Sequence, residues 1–142
     1  MKTLLTVGLS SEETGSLRDL LVGQGWEIRA AAGWTQVFLR LRERPYRAVI
    51  CESSLPDGDW RDTLDELWLC TNPPPLIVIS PFADAHLWAE VLDAGGHDVL
   101  PYPFEAGELI RVLEQTGSGA LARQPWKPPE LVLAGRLYNE DT

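Results

Sequence analysis

The chain has 142 residues, close to the ~150 typical of one domain, so one compact core is expected rather than two. Hydrophobic residues make up 44% and charged residues 23%, a composition that excludes an intrinsically disordered chain. Twelve Lys and Arg against 21 Asp and Glu give a formal charge of −9, which argues against nucleic acid and anionic membrane as partners.

In chain order, residues 4–7 form a short apolar run that ends at Gly8. Ser10 and Glu13 follow with the spacing of a capping box, so a strand feeds a helix there. Leu17, Leu20 and Leu21 share one face of that helix, which stops near Gly23 or Gly25. Residues 26–31 read as a second strand. Trp34, Val37, Phe38 and Leu41 then repeat at i, i+3, i+4 and i+7, an amphipathic helix ended by Pro45.

Residues 48–51 are apolar on both faces, as in a central parallel strand. Leu55-Pro56-Asp57-Gly58 has turn chemistry, and Leu64, Leu67 and Trp68 mark a helix before Pro73-Pro74-Pro75. Residues 76–79 form a fourth buried strand. A helix carrying Leu87, Trp88, Val91 and Leu92 ends at Gly95-Gly96, residues 98–100 are a fifth strand, and residues 105–114 a fifth helix. Five such units predict an α/β doubly wound parallel sheet whose functional crevice lies at the carboxyl ends of the strands. Positions 8–10, 52–54, 80 and 101–103 should line it.

Cys51 and Cys70 are too few for a disulfide scaffold or a four-thiolate zinc site, which fits a reducing compartment. Apolar runs such as 76–79 fall far short of the roughly 20 residues of a membrane helix, and residues 1–8 lack the apolar core of a signal peptide. A cytoplasmic protein without a membrane partner is expected.

The stretch Glu52-Ser53-Ser54-Leu55-Pro56-Asp57-Gly58, with Asp93-Ala94-Gly95-Gly96-His97-Asp98-Val99-Leu100-Pro101-Tyr102-Pro103-Phe104, resembles the response-regulator receiver domain of two-component signalling. The resemblance covers residues 1–116. It implies a flavodoxin-like sheet of strand order 2-1-3-4-5, with helices on both faces and a phosphoryl group accepted on an aspartate. Gly8 and Leu9 stand where such domains carry a metal-holding acidic pair, and Glu52 stands at the phosphoacceptor position. Ser80 keeps the family's hydroxyl, Tyr102 replaces its lysine ahead of Pro103, and Val99 stands at the aromatic switch position.

Phosphoryl transfer needs positive charge to neutralise the developing oxygens, and here both the metal-binding pair and the lysine are replaced. A degenerate receiver, or pseudo-receiver, is therefore expected, with no catalytic residue, no metal and no cofactor. It would work as a phosphorylation-independent interaction module for a protein partner or as a homodimer. Two alternatives are a phosphoacceptor using Glu52 or Asp57 in a phosphorelay, and a small-molecule sensor in the altered crevice.

Glu52 reads equally as a built-in mimic of the phosphoryl charge and as a strand-end carboxylate accepting backbone N–H groups. Glu12 and Glu13 suit the first turn of a helix better than a rebuilt metal site. Ser80 reads as a loop starter, and Tyr102 either reaches Glu52 or points outward. His86 and His97 lack ligand spacing and are expected at the surface. Arg40, Arg42, Arg44 and Arg47 form a basic cluster, ordinarily a solvated face but suited to an acidic partner or nucleic acid. Trp34 and Trp88 fit core faces, whereas Trp60 and Trp126 are expected to be exposed at an interface. Residues 117–130 read as a Gly/Pro-rich linker. Residues 131–142 form a short tail, too small for an independent output domain and expected to dock.

Overall fold

The computed structural model describes residues 2–116, in which strand and helix alternate five times. The strands of the main sheet are β1 (Lys2–Val7), β2 (Trp26–Ala31), β3 (Ala48–Glu52), β4 (Leu76–Ser80) and β5 (Asp98–Pro101), and Ser54–Leu55 and Gly58–Asp59 form a separate short ribbon. The helices are α1 (Ser11–Leu21), α2 (Val37–Glu43), α3 (Trp60–Leu67), α4 (Ala85–Ala94) and α5 (Ala106–Gln115). Within the main sheet neighbouring strands pair parallel in the order β2-β1-β3-β4-β5, the predicted doubly wound order, while the short ribbon is antiparallel. Trp126, the 117–130 linker and the 131–142 tail lie outside the described residues.

Alternation along each strand divides the core in two. Leu4, Ile50, Ile77 and Ile79 face Leu17 and Leu21 of α1 and Leu109, Val112 and Leu113 of α5. Leu5, Val49, Val78 and Val99 face Val37 of α2, Leu64 and Leu67 of α3, and Val91 of α4. Both faces of the sheet are thus covered, which is why the central strands β3 and β4 are apolar on both faces, whereas the edge strand β2 alternates with Glu27 and Arg29.

Local chemistry sets the element ends. Ser10 and Glu13 form the expected capping box at α1, with Glu13 N to Ser10 Oγ at 3.1 Å and Ser10 N to Glu13 Oε1 at 2.9 Å. Gly95, at φ +104°, closes α4, where a side chain would also run into Trp68. Among the described residues no helix is long and apolar enough to cross a membrane.

Trp60 corrects one expectation: it is not an exposed interface residue but only 3% exposed, inside the core under α3. Asp59 and Asp62 form a capping box that starts α3 at Trp60. Trp60, Leu64 and Leu67 therefore fall at i, i+4 and i+7 on the inner face. The same phase puts Trp68 outside, at 56% exposed. Phe38 is also turned outward, while Trp34, Val37 and Leu41 pack inward as expected.

Candidate functional site

At the carboxyl end of the sheet, β1 turns at Gly8, whose φ of +75° places it in the left-handed region. Gly8 N donates to Ala31 O at 2.9 Å, which fixes the turn. A Cβ built on Gly8 would overlap Leu55 Cδ2 and lie 3.8 Å from Glu52 Cβ. Leu55, itself buried, thus fills the space that a side chain at position 8 would need. Leu9 packs on the α1/α5 side of the core and offers the crevice no oxygen ligand.

Glu52 ends β3 and is half-buried beside Gly8. Its carboxyl is pushed up to about 7, first by burial and then by a hydrogen bond and like charge from Glu13; Ser53 opposes the shift. Glu13 belongs to the α1 capping box, so one carboxylate serves the helix cap and also faces Glu52. Tyr102 points neither to Glu52 nor away from the crevice: its hydroxyl donates to Glu12 Oε1 at 3.3 Å. Its ring meets Phe104 edge-on at 5.2 Å. Among the described residues, no ion pair joins Lys, Arg or His to Glu12, Glu13 or Glu52.

The remaining candidates have structural partners. Ser80 is buried and its Oγ accepts from Phe82 N at 3.0 Å, the loop-starting role expected of it. Pro103 follows Tyr102 through a cis peptide and is exposed. Val99 is fully buried in the α2/α3/α4 core, where it leaves no side chain to swing between inside and outside. Cys51 is no nucleophile: burial pushes its thiol up to about 12.

Asp57 lies beyond the crevice. Its carboxylate accepts from Trp34 N at 3.2 Å, Thr35 N at 3.1 Å and Thr35 Oγ1 at 2.9 Å, while Trp34 Nε1 donates to Asp57 O at 2.7 Å. The Leu-Pro-Asp-Gly turn is thereby strapped to the start of α2. Sequence reasoning missed this strap, the Leu55 plug and the Glu13–Glu52 pair. Each joins residues more than 20 positions apart, and nothing in local spacing signals them.

A divalent ion of the magnesium type asks for about six oxygens in near-octahedral array. Here position 8 supplies none, Leu9 is turned to the core, and among the described residues no three His, Cys, Asp or Glu side chains gather into a metal-holding group. The residues present do not fit such an ion.

This fold, with a carboxylate at the end of β3, a hydroxyl at the end of β4 and a cis-proline after β5, is that of response-regulator receiver domains. No family model matches the chain. It is 32% identical over 114 residues to the KDP operon transcriptional regulatory protein KdpE of Escherichia coli, covering 77% of this chain and 49% of that protein. It is 26% identical over 99 residues to the transcriptional regulatory protein ZraR of Salmonella typhimurium, covering 70% of this chain and 22% of that one. The matches thus span half or less of the length of these curated relatives. A response-regulator crystal structure from Chloroflexus aurantiacus superposes with a TM-score of 0.72 at 25% identity, over 81% of this chain and 96% of the other. In fold, and more distantly in sequence, residues 2–116 are thus similar to response-regulator receiver domains.

Proposed function

We propose that this receiver is a phosphorylation-independent protein-interaction module that carries out no catalytic step and works in the cytoplasm. The observation that carries the reading is that Gly8 brings no side chain to the turn after β1 while Leu9 packs into the core, so the place of a metal-holding pair offers no carboxylate. Three features support it: the Glu52 carboxyl facing the like charge of Glu13, Tyr102 in place of a cation, and the burial of Val99. Without a divalent ion or a lysine, charge developing on a transferring phosphoryl group would meet carboxylates, which raises the barrier. The conformation is then set by contact with a partner. Free Cys51 and Cys70 agree with a reducing compartment.

Incubation of the 142-residue chain with acetyl phosphate and Mg²⁺, followed by intact mass measurement, tests the reading. The expected result is an unmodified mass. A stoichiometric, base-labile phosphoryl adduct on Glu52 or Asp57 would overturn it and make the domain a phosphorelay member.

A further inference from the structure

The charge of this domain is divided in space. Residues 22–51 carry five arginines against two glutamates, net +3, while the other described residues hold four cations against sixteen acids, net −12. The fold gathers the positive stretch along the outer edge of β2 and the end of α2. One cleft of about 400 Å³ there is lined by Lys2, Glu27, Arg44 and Arg47. A second, of about 340 Å³, is lined by Arg29, Arg40 and Glu43.

We propose that this edge is the docking surface for an acidic protein segment: Arg29, Arg44 and Arg47 take its carboxylates, and Phe38 and Leu39 take its apolar side chains. The proposal rests on the reading of the domain as a protein-contact module and names the surface and the chemistry of its partner. Arg29 Nε and Arg44 Nε are buried and find no hydrogen-bond partner among the described residues, so swinging either guanidinium outward to a carboxylate breaks no bond at that atom. The arginines' present partners are weak ones: Arg44–Glu27 at 3.1 Å and Arg40–Glu43 at 3.4 Å are partly exposed pairs that a partner's carboxylates can replace.

Phe38 and Leu39, on the outward side of α2, stand 40% and 62% exposed, and Arg42 lies over the Phe38 ring at 5.4 Å. An apolar patch rimmed by cations fits a peptide that mixes carboxylates with Leu or Phe. Nucleic acid fits less well, because the surrounding net −12 repels a long polyanion and Arg42 occupies one face of the only exposed ring at the patch. Strand addition is blocked as well. Arg40 Nε donates to Ala30 O at 3.0 Å and closes the edge of β2 at that point, so recognition falls to side chains.

The test titrates the 142-residue chain, unphosphorylated and free of Mg²⁺, with a synthetic peptide repeating Glu-Glu-Leu-Phe, followed by amide chemical shifts. A DNA oligonucleotide of equal charge runs alongside. Shift changes are expected within residues 27–47, with affinity falling as ionic strength rises from about 0.01 M to about 0.15 M. The exposed double variant Arg42→Glu/Arg47→Glu should keep its melting temperature and bind about tenfold more weakly. No binding, shifts on another face, equal binding by the variant, or tighter binding of the DNA would each overturn the proposal. A phosphoryl adduct in the mass experiment would sink phosphorylation independence and leave this surface standing. Loss of peptide binding would do the reverse.

Discussion

Glu52 sits where a receiver needs a charged carboxylate, yet its neighbours favour the protonated form. Burial and the facing Glu13 raise it from an ordinary 4.5 to about 7. The folded chain therefore holds a proton between those values that the unfolded chain has already released, so stability falls as pH rises through this window. Above it, the charged form costs on the order of 1 kcal/mol, after solvent screening at a half-exposed site is allowed for. Glu52→Gln should remove that slope and leave the variant about 1 kcal/mol more stable than the parent near pH 8, read from urea midpoints. An unchanged slope would show that no proton is held there. The sequence placed Gly8, Glu52, Ser80 and Tyr102 at this crevice, because they follow from position along the strands. It did not display Glu13 beside Glu52 or Leu55 over Gly8, since both meetings depend on how two loops fold back at the sheet's end.

Helix starts decided which element-level expectations held. Ser10 and Glu13 announced α1 by spacing alone, and its inward leucines followed. The start of α3 at Asp59 went unread, so Trp60 was assigned to the wrong side by phase, although its residue type and the following leucines were in view. Asp57 shows the same limit in another form. Its Leu-Pro-Asp-Gly turn was legible, but its role as the acceptor for Trp34 N and Thr35 N across 22 or more positions was not. Desolvation opposes ionisation of Asp57, but the hydrogen bonds from Thr35 and Trp34 outweigh it and hold the carboxyl below its usual range. The stability this strap gives is present above the ordinary value of 3.8 and is lost as pH falls through the lowered one. Asp57→Ala should cost about 1 kcal/mol near neutral pH, the usual loss for a helix cap, and the difference from the parent should vanish in acid. Thermal unfolding of both proteins across that range checks it. A difference that persists in strong acid would mean that Asp57 acts through packing.

At the scale of the molecule, strand order was readable because five buried runs separated by helical patterns leave few parallel topologies, and one carries these turn residues. Charge distribution was only half readable. The Arg40–Arg47 cluster stands out in the sequence, but its junction with Arg29 and Lys2 is made by the pairing of β1 with β2 and the return of α2 onto that edge. The outcome is a domain with a small cationic edge on a body of net −12, whose carboxylates repel one another at low salt. Partly exposed pairs such as Arg111–Glu108, at 2.7 Å, offset little of this, because each is weak and screened as well. Raising ionic strength from about 0.01 M to about 0.15 M should therefore stabilise the fold by roughly 1 kcal/mol, or about 4 °C in melting temperature. Scanning calorimetry across that range, at fixed pH and protein concentration, reads the effect. A melting temperature that falls with salt would mean that the ion pairs and the basic edge outweigh the body's self-repulsion.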